Sequence, residues 1–493
     1  MKNHLPILII IFPLVIAFLI LFLKKYSVQL SLTGIFASLF LLLRLTSEIL
    51  NGNTIAYHLG GWEGPMGITL VIDGLSFYFS FLVLCAGIYI IFYSLYEEKY
   101  SSSYYFFLLL SISSMLGVIF TGDIFNMYIF YELLTISTYL LIAYLKKGKS
   151  LKASFNYLIM GGVGLSFFLL GVGFLYALFG FLDIALIAEN FLDIYLVHRE
   201  MLMVSFALMV IGIGIKVALF PLHGWLPDAH SLAPSSVSAL LSGITVKIGI
   251  YCLIRILYGI FSLEKYFFRR TGQIFLILGS VTLLFGATMA LAQIDLKRLL
   301  AFSTINQIGI IMIGFGIGTK AGITGALFHI LNHAILKISL FFCAGIIIKK
   351  TGSRLLQDLK GFGRREPFIV LSFTIASMGM IGIPSVNGFI SKFIICSAAI
   401  EAGFPLIVVI ILIASVITAA YYFKIIVLFF DSSETSVKIT KPSGKEMTSL
   451  RIIFGYWPVY ALTGVSVFLG IFPTFGINLL EPAVKLILSN FVP

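Results

Sequence analysis

The stretch that decides the fold lies near the middle of the chain, where residues 212–228 are GIGIKVALFPLHGWLPD. Its apolar residues are typical of a membrane helix, yet Gly212 loosens such a helix, and Pro221 and Pro227 stop it. Lys216 lies inside the apolar part, where a charge costs roughly 2.5–3.5 kcal/mol at the bilayer centre. An interrupted membrane helix with a buried charge indicates a path for ions or protons.

The composition of the whole chain agrees with a protein that is dissolved in a bilayer. Of its 493 residues, 60% are hydrophobic and 11% are charged, whereas soluble domains are about 25% charged. At about 20 apolar residues per span there is room for well over ten transmembrane helices. The apolar runs are long and uniform, which excludes short alternating strands. The fold class is therefore an all-α polytopic membrane protein.

Apolar runs and the polar breaks between them predict about 14 spans in a single transmembrane domain, residues 1–493. The connection from Asp431 to Leu450 and the Gly-rich segment 48–71 are predicted as loops. The spans lie near 5–23, 27–47, 72–94, 105–120, 123–145, 154–180, 201–219, 231–258, 273–293, 298–318, 321–349, 367–398, 404–430 and 454–473.

The net charge of +12 comes mostly from Lys and Arg in short loops between apolar runs. No soluble basic surface is predicted, so nucleic acid is not an expected partner. Loops after odd-numbered spans hold most of these cations, among them Lys24, Lys146, Lys297 and Arg364. The positive-inside bias therefore predicts that these loops are cytoplasmic and that both termini lie outside a prokaryotic plasma membrane.

Four cysteines lie singly in hydrophobic runs, without a CxxC or Cys/His spacing, so they are interpreted as small core residues. Neither a metal nor a cofactor is expected. The cysteines are Cys85, Cys252, Cys343 and Cys396.

Seven ionisable residues lie deep in predicted spans and form the candidate relay for protons or ions. Each is flanked by apolar residues, so each is predicted to line a polar cavity. A buried lysine can give up and regain a proton, because burial disfavours its charged form. Snorkelling to the interface is the alternative for the lysines, and an inert ion pair for the glutamate. The seven are Glu132, Lys216, Lys247, His329, His333, Lys337 and Lys392.

His329, His333 and Lys337 recur at i, i+4 and i+8, which stacks them on one helix face. Imidazole accepts a proton at one nitrogen and donates at the other, so this stripe can pass protons. A hydrogen-bonded packing stripe is the main alternative. HILNH lacks the glutamate of HExxH and no third ligand is evident, so a metal site is not expected.

Further polar residues lie near the ends of predicted spans. His223, Asp228 and His230 are predicted at the cytoplasmic mouth, where they either take up protons or cap a broken helix. Asp73 and Asp123 are expected to be helix caps. The turn with Asp295, Lys297 and Arg298 is expected to anchor at the interface.

A second interrupted segment contains Gly382, Pro384, Gly388 and Lys392. A glycine precedes a lysine by four residues here, as in the first interrupted segment. Paired interrupted segments in the two halves of a chain are typical of inverted repeats with a site near the bilayer midplane.

Four segments resemble the antiporter-like membrane subunits: residues 220–251 from FPLHGWLPDAH, IDLKRLLAFSTINQIG, HILNHAILKISLFFCAG and GIPSVNGFISKF. That family includes the large membrane subunits of complex I, Mrp cation/proton antiporter subunits, and matching subunits of energy-converting hydrogenase or sulfur-reducing complexes. The resemblance covers roughly residues 65–400, and YHLGGWEGPMGITLVIDGLS is most similar to the D-type subunit of Mrp antiporters.

The resemblance implies inverted five-helix repeats with broken helices 7 and 12. Residues 1–100 would hold three helices, 101–258 the first repeat, 273–430 the second, and 431–493 a cytoplasmic loop and the last helix. It also implies that Glu132 and Lys216 pair, that Lys247 is the central lysine, that Lys392 is the lysine of helix 12, and that the stripe lies on helix 11. Gln307 stands where relatives often have a histidine.

The expected function is that of a proton- or cation-translocating subunit with no catalytic centre of its own. Expected partners are other membrane subunits, the lipid bilayer and protons, with sodium as a further candidate ion. Three alternatives stay open: a pumping subunit of a hydrogenase or another complex I-like oxidoreductase, a non-conducting structural subunit, and an autonomous transporter.

Overall fold

A computed structural model describes residues 4–97, 100–261, 265–431 and 449–489, without the side chains of 265–270 and 449–451. The loop predicted from Asp431 to Leu450 lies almost wholly outside the described residues. The helices are α1 Leu5–Phe22, α2 Ser27–Leu43, α3 Thr46–Leu50, α4 Gly74–Glu97, α5 Ser102–Phe120, α6 Ile124–Ile142, α7 Gly148–Phe179, α8 Ile184–Glu189, α9 Phe191–Val217, α10 Leu226–Leu232, α11 Ser235–Leu240, α12 Val246–Gly259, α13 Lys265–Leu291, α14 Leu296–Ile317, α15 Lys320–Thr351, α16 Pro367–Ile381, α17 Asn387–Glu401, α18 Pro405–Phe430, α19 Ser449–Ile471 and α20 Pro473–Ser489.

The all-α membrane fold is confirmed. In the described ranges, 13 helices are long and apolar enough to cross a membrane. The span predicted at 367–398 is broken into α16 and α17, each of 15 residues. At 1.5 Å per residue each half is about 23 Å long, too short to cross the roughly 30 Å hydrocarbon core alone. Together the two halves supply the fourteenth span.

The segment predicted as a Gly-rich loop, 48–71, contains a β-hairpin. Strands β1 Ile55–His58 and β2 Thr69–Ile72 pair antiparallel, with Ile55 opposite Ile72. Leu70 also bridges Thr121 at the end of α5. We call this end of the bundle the hairpin face. The Glu97 face is the opposite end, where Glu97, Asp295 and Arg354 lie.

Two stretches of the chain repeat with opposite orientation. Asp123 caps α6 at the hairpin face by accepting from Asn126 N (2.7 Å), and Asp295 caps α14 at the Glu97 face by accepting from Arg298 N (2.9 Å). Asp123 bridges Asp183, and Asp295 bridges Leu355. The differences 295 − 123 and 355 − 183 both equal 172.

The long helices of the two stretches keep the same offset. Helices α7 and α15 both contain 32 residues, and they begin at positions 148 and 320, again 172 apart. Equivalent features at opposite faces define inverted repeats, as the sequence predicts. The division of the chain at 101–258 and 273–430 stays a prediction.

Burial places the repeats' inner helices at the centre. The membrane windows of Ser235–Gly259 and Leu296–Ile317 are entirely buried, whereas only 33% of the residues in those of α1 and α18 are buried. The buried helices include those that carry Lys247 and the His329–Lys337 stripe. Lys247 and the His329–Lys337 stripe therefore lie inside the protein.

The C-terminal helix α20 is not among the predicted spans. Its buried residues Gly476, Leu480, Ala483 and Ile487 recur at helical spacing and pack against α4 and α15. The sequence signal is this one-sided apolar pattern, which is weaker than that of a span.

The broken span depends on a close approach between its two halves. A Cβ atom added at Gly388 of α17 would overlap the carbonyl oxygen of Gly379 on α16. We expect Gly388→Ala to destabilise the protein by about 1–3 kcal/mol, because overpacking forces the backbone to move. The measurement is the melting temperature of the purified protein in detergent.

Gly162→Ala is the matched control, because Gly162 is also helical and a Cβ there would meet no atom within 4 Å. It should melt at or above the wild-type temperature, since alanine favours a helix by about 1 kcal/mol over glycine. Equal melting of the two variants would contradict the close packing of α16 and α17.

Candidate functional site

Lys216 is the penultimate residue of α9, directly before the first helix break. Helix α9 ends at Val217, Ala218 has a left-handed backbone (φ 59°), and Trp225 Nε1 donates to the Ile215 carbonyl (2.7 Å). Lys216 is buried, and its Nζ donates to Thr135 Oγ1 (2.7 Å). Gly161 makes room for it, since a Cβ there would lie 2.5 Å from Nζ.

Glu132 is half-buried on α6, one turn before Thr135. Among the described residues its carboxylate forms no ion pair, so the predicted Glu132–Lys216 contact is absent from this structure. The ammonium instead binds the hydroxyl of Thr135 and faces the rings of Tyr131 and Tyr157, at 5.6 and 5.3 Å from their centroids. Glu132 and Thr135 are one turn apart on α6, so the carboxylate lies on the same helix that holds the ammonium.

Lys247 lies at the start of α12, next to a π turn at Leu241–Thr245. Its side chain is 0% exposed, which excludes snorkelling. Nζ donates to the carbonyl of Ser242 within that turn, and the Ser242 hydroxyl bonds Thr304 Oγ1 (2.7 Å). A π turn is frequent at functional sites, because its wider ring changes where carbonyls are available.

The predicted stripe on α15 forms, and all three of its residues are buried. The rings of His329 and His333 are nearly parallel (7°), with centroids 6.3 Å apart. His329 bonds Ser391 Oγ through Nδ1 (2.9 Å) and Gln307 Oε1 through Nε2 (3.0 Å). Neither nitrogen of His333 has a partner among the described residues, so this ring can exchange a proton without first breaking a protein hydrogen bond.

Lys337 completes the stripe. Its Nζ donates to the Leu300 carbonyl (2.7 Å) and to Ser303 Oγ on α14. Ser303 Oγ in turn bonds the hydroxyl of Tyr422 on α18 (2.9 Å). The stripe thus lies against α14, within the second repeat.

Lys392 lies on the second broken span. Nζ donates to the carbonyls of Met380 and Ile381 (both 2.8 Å), which are the last two residues of α16. The residue is 6% exposed, so it does not snorkel to the interface. A cation at a helix C-terminus is stabilised by the helix dipole.

His230 lies on α10, and both of its buried nitrogens lack a partner in the part of the chain that the structure describes. Residues near it are held by three charged side chains, which we call the break clamp: Glu97, Lys297 and Arg354. Glu97 caps α11 by accepting from the backbone amides of Ser235 and Ser236. Lys297 Nζ donates to Ala233 O (2.8 Å), and Arg354 Nη1 donates to Ser231 O (2.6 Å).

The break clamp corrects one expectation and adds two residues that the sequence does not indicate. Lys297 is 4% exposed, so it is a buried clamp residue and no interface anchor. Arg298 does lie at the surface, where it pairs with Asp228 (3.0 Å). Glu97 and Arg354 carry no sequence signal, because both lie at predicted loop edges, where charges are common.

His223 is half-buried between Phe220 and Phe285, with ring centroids 5.6 and 4.5 Å away. His223 lies in the connection between α9 and α10. Asp228, which pairs with Arg298, and the buried His230 both lie on α10. The structure therefore places these three residues around one helix break.

The site residues form two neighbouring groups. Lys247, Lys337, His329 and His230 all lie close enough to His333 for their charges to interact, and Lys392 is similarly close to His329. Glu132 and Lys216 form the other group. The two groups are in contact at Gly249 of α12. A Cβ on this glycine would lie 2.6 Å from Val217 of α9 and 3.0 Å from the Tyr131 hydroxyl on α6.

Fold and site together define a helical membrane protein in which two inverted repeats, each with a broken span, enclose a file of buried amines and imidazoles. A family model described as NADH:quinone oxidoreductase/Mrp antiporter, TM, matches residues 121–418. The chain belongs to this family, and the resemblance that the sequence motifs indicate is confirmed. It is an antiporter-like membrane subunit.

Relatives come from both branches of the family. NADH-quinone oxidoreductase subunit N of Desulforudis audaxviator (strain MP104C) is 37% identical over 416 residues, 82% of each chain. The D-type subunit of the Na(+)/H(+) antiporter of Alkalihalophilus pseudofirmus (strain ATCC BAA-2126 / JCM 17055 / OF4) is 31% identical over 406 residues, 80% of this chain and 81% of the relative.

A solved structure extends the likeness to the full fold. A chain of the membrane-bound sulfane sulfur reductase, an archaeal respiratory membrane complex, superposes with a TM-score of 0.89 at 29% identity. The superposition covers 99% of this chain and 100% of that one.

The break clamp yields a stability prediction. Glu97→Ala leaves the amides of Ser235 and Ser236 without their cap, which should destabilise the protein by about 0.5–2 kcal/mol. The measurement is the melting temperature in detergent. Glu401→Ala is the control, because Glu401 is an exposed carboxylate near a helix end; an equal loss in both variants would contradict the cap.

Proposed function

We propose that the chain is the proton- or cation-translocating subunit of a multi-subunit membrane complex. Protons would move through Glu132, Lys216, Lys247, His329, His333, Lys337 and Lys392, with His223, Asp228 and His230 at the mouth for uptake. Other membrane subunits would be its partners, in a prokaryotic plasma membrane with both termini outside. The relatives support this proposal, because they are subunits of a Na(+)/H(+) antiporter and of an NADH-quinone oxidoreductase.

One observation carries the proposal: titratable side chains lie together in the interior of the helix bundle. Lys247, His333 and Lys337 are 0–1% exposed and lie within reach of each other's charge. Packing alone would not require charges there, because burying an ammonium in an apolar medium is costly. Proton transfer requires closely spaced groups that can each hold a proton.

The geometry gives each group a task. His230 would receive protons at the break between α10 and α11 and pass them to His333 and Lys247. His329 would connect the centre to Lys392 at the end of α16. Charging of Lys247 would repel the proton on a neighbouring imidazole, so the groups cannot all be charged at once.

Lys216 and Glu132 would act as the switch. In this structure the ammonium binds Thr135, and a direct ion pair with Glu132 is the other arrangement open to it. The two arrangements differ in charge separation, so a change at Lys247 would bias the balance between them.

The proposal predicts that charge removal stops translocation without stopping assembly. Glu132→Gln and Lys247→Ala should each abolish proton pumping or cation-dependent growth, because each removes a proton-binding group from the file. Pumping is measured in membrane vesicles, and assembly by purification of the complex. Asp123→Asn is the control, since asparagine also caps helices well and Asp123 lies outside the relay. Wild-type pumping in both relay variants would refute this mechanism.

A redox-driven complex is the second candidate for the assembly, because the likeness extends over 82% of the oxidoreductase subunit N and all of the sulfane sulfur reductase chain. In that case the subunit would pump protons without redox chemistry of its own. Purification of the complex from its native membrane, followed by mass spectrometry, should find iron–sulfur or flavin subunits. A complex of antiporter-type membrane subunits alone would contradict this candidate and favour an Mrp-like antiporter.

A further inference from the structure

A second polar group lies at the hairpin face, outside the relay described above. Asp73 precedes α4 and Arg255 lies near the end of α12, and Arg255 Nη2 is 2.7 Å from both carboxylate oxygens of Asp73. The side chains are 4% and 16% exposed. A buried ion pair often stabilises a fold no more than apolar residues would. Its presence here therefore suggests a role in moving charge.

Helix α12 connects this pair to the relay. Lys247, Tyr251 and Arg255 recur every four residues, so they share one face of the helix. Arg255 Nε donates to the Tyr251 hydroxyl (2.7 Å), which itself donates to the Ile119 carbonyl. At 1.5 Å per residue, the eight-residue step covers roughly 12 Å along the helix. The step leads from Lys247 towards the hairpin face. Because Lys247 Nζ donates to the Ser242 carbonyl, on the side of Lys247 away from Tyr251, water must bridge Nζ and the Tyr251 hydroxyl.

A cavity of about 610 Å³ lies at this end of α12. Asp73, Arg255, Thr121 and Gly259 are among the residues that line it. Glu63, which also lines it, is exposed to solvent. We call it the hairpin cavity. Its size and the charged side chains of Asp73, Arg255 and Glu63 in its otherwise largely apolar lining suit water, which can carry protons between the ion pair and the surface.

We propose that Asp73 is the terminal proton acceptor of the relay and that Arg255 is its gate at the hairpin cavity. This inference rests on the proposed function. An N–H bond of the Lys247 ammonium breaks, the proton passes through the Tyr251 hydroxyl and intervening water, and an O–H bond forms on Asp73. Lys247 is then neutral, and so is Asp73. Asp73 next releases the proton to water in the hairpin cavity.

Arg255 gives this path a direction. Its guanidinium does not lose a proton in proteins, so it stays charged while Asp73 is protonated. During that time the guanidinium lacks its counter-ion in a largely buried place, which is unfavourable. Release of the proton restores the ion pair, and the positive charge of Arg255 repels cations that approach from the cavity.

Asp73 also caps α4, because Ser76 N donates to its Oδ1 (2.9 Å). The two roles can be separated by substitution. Asp73→Asn keeps a good cap and removes the charge. Arg255→Lys keeps the charge of the gate, and Arg255→Gln removes it.

The test uses the intact complex in sealed membrane vesicles, with proton translocation measured against the pH of the compartment at the hairpin face. Asp73→Asn and Arg255→Gln should assemble normally, lose about tenfold or more of the rate, and shift the pH profile. Arg255→Lys should restore most of the rate that Arg255→Gln loses, and Asp123→Asn should behave as wild type.

The inference is overturned if Asp73→Asn translocates protons at the wild-type rate with an unchanged pH profile. A wild-type complex that moves no protons would instead refute the proposed function, and this inference with it.

Water access is checked separately from translocation. Gly259→Cys, in a chain whose four native cysteines are replaced, should react with a membrane-impermeant maleimide from the hairpin face. A Cβ at Gly259 would have ordinary contact only, 3.6 Å from Ile184. Failure of this cysteine to react from that face would also overturn the inference, since the hairpin cavity would then be closed to water.

Discussion

The structure depends on one constraint: an ammonium ion at membrane depth needs oxygen partners, and an intact helix has already used its carbonyls within its own hydrogen bonds. For three buried lysines the interruptions of the helices supply these oxygens, whereas Lys337 binds the Leu300 carbonyl near the start of α14 and Lys216 binds a hydroxyl. Lys392 binds the last carbonyls of α16, Lys297 binds a carbonyl at the break between α10 and α11, and Lys247 binds a carbonyl in the π turn. The helix breaks and these buried lysines therefore depend on each other, because carbonyls of the irregular backbone replace water around the ammonium.

The same constraint leaves Lys247, Lys337 and Lys392 without a carboxylate partner among the described residues. A lysine that is held only by carbonyls and hydroxyls has no fixed counter-charge, so its protonation depends on the charges around it. Lys247, Lys337 and the imidazoles lie close to one another. A positive charge on one of them disfavours the protonated form of the others. By contrast, the Asp73–Arg255 pair at the hairpin face has its counter-ion in contact. The buried lysines and the Asp73–Arg255 pair are thus two different ways of holding a cation inside the protein.

The sequence predicts the fold class, the broken spans and the burial of Lys216, Lys247 and Lys392, because apolar flanks, glycines and prolines are local signals. It does not predict partners that come from distant segments. The contact of Lys216 with Thr135 is hidden because a charged neighbour, Glu132, lies one turn away and is the more obvious partner. The neighbours of Lys297 in sequence suit an interface, whereas its burial comes from packing against the α10–α11 segment. The hairpin and α20 escape prediction because their apolar patterns are short or one-sided.

The offset of 172 positions between the repeats shows how one scaffold carries two different polar centres. His329, His333 and Lys337 of α15 correspond to Tyr157, Gly161 and Leu165 of α7, and Gln307 corresponds to Thr135. In the second repeat, His329 bonds Gln307. In the first repeat, the equivalent stripe has no imidazole; Gly161 leaves space, and the ammonium of Lys216 enters it to bond Thr135. The two repeats thus place a proton-binding group beside the same helix position by different routes. Lys216 is the proton-binding group beside Thr135, and His329 is the one beside Gln307. Lysine and histidine differ in intrinsic pKa, so the two repeats need not have the same proton affinity.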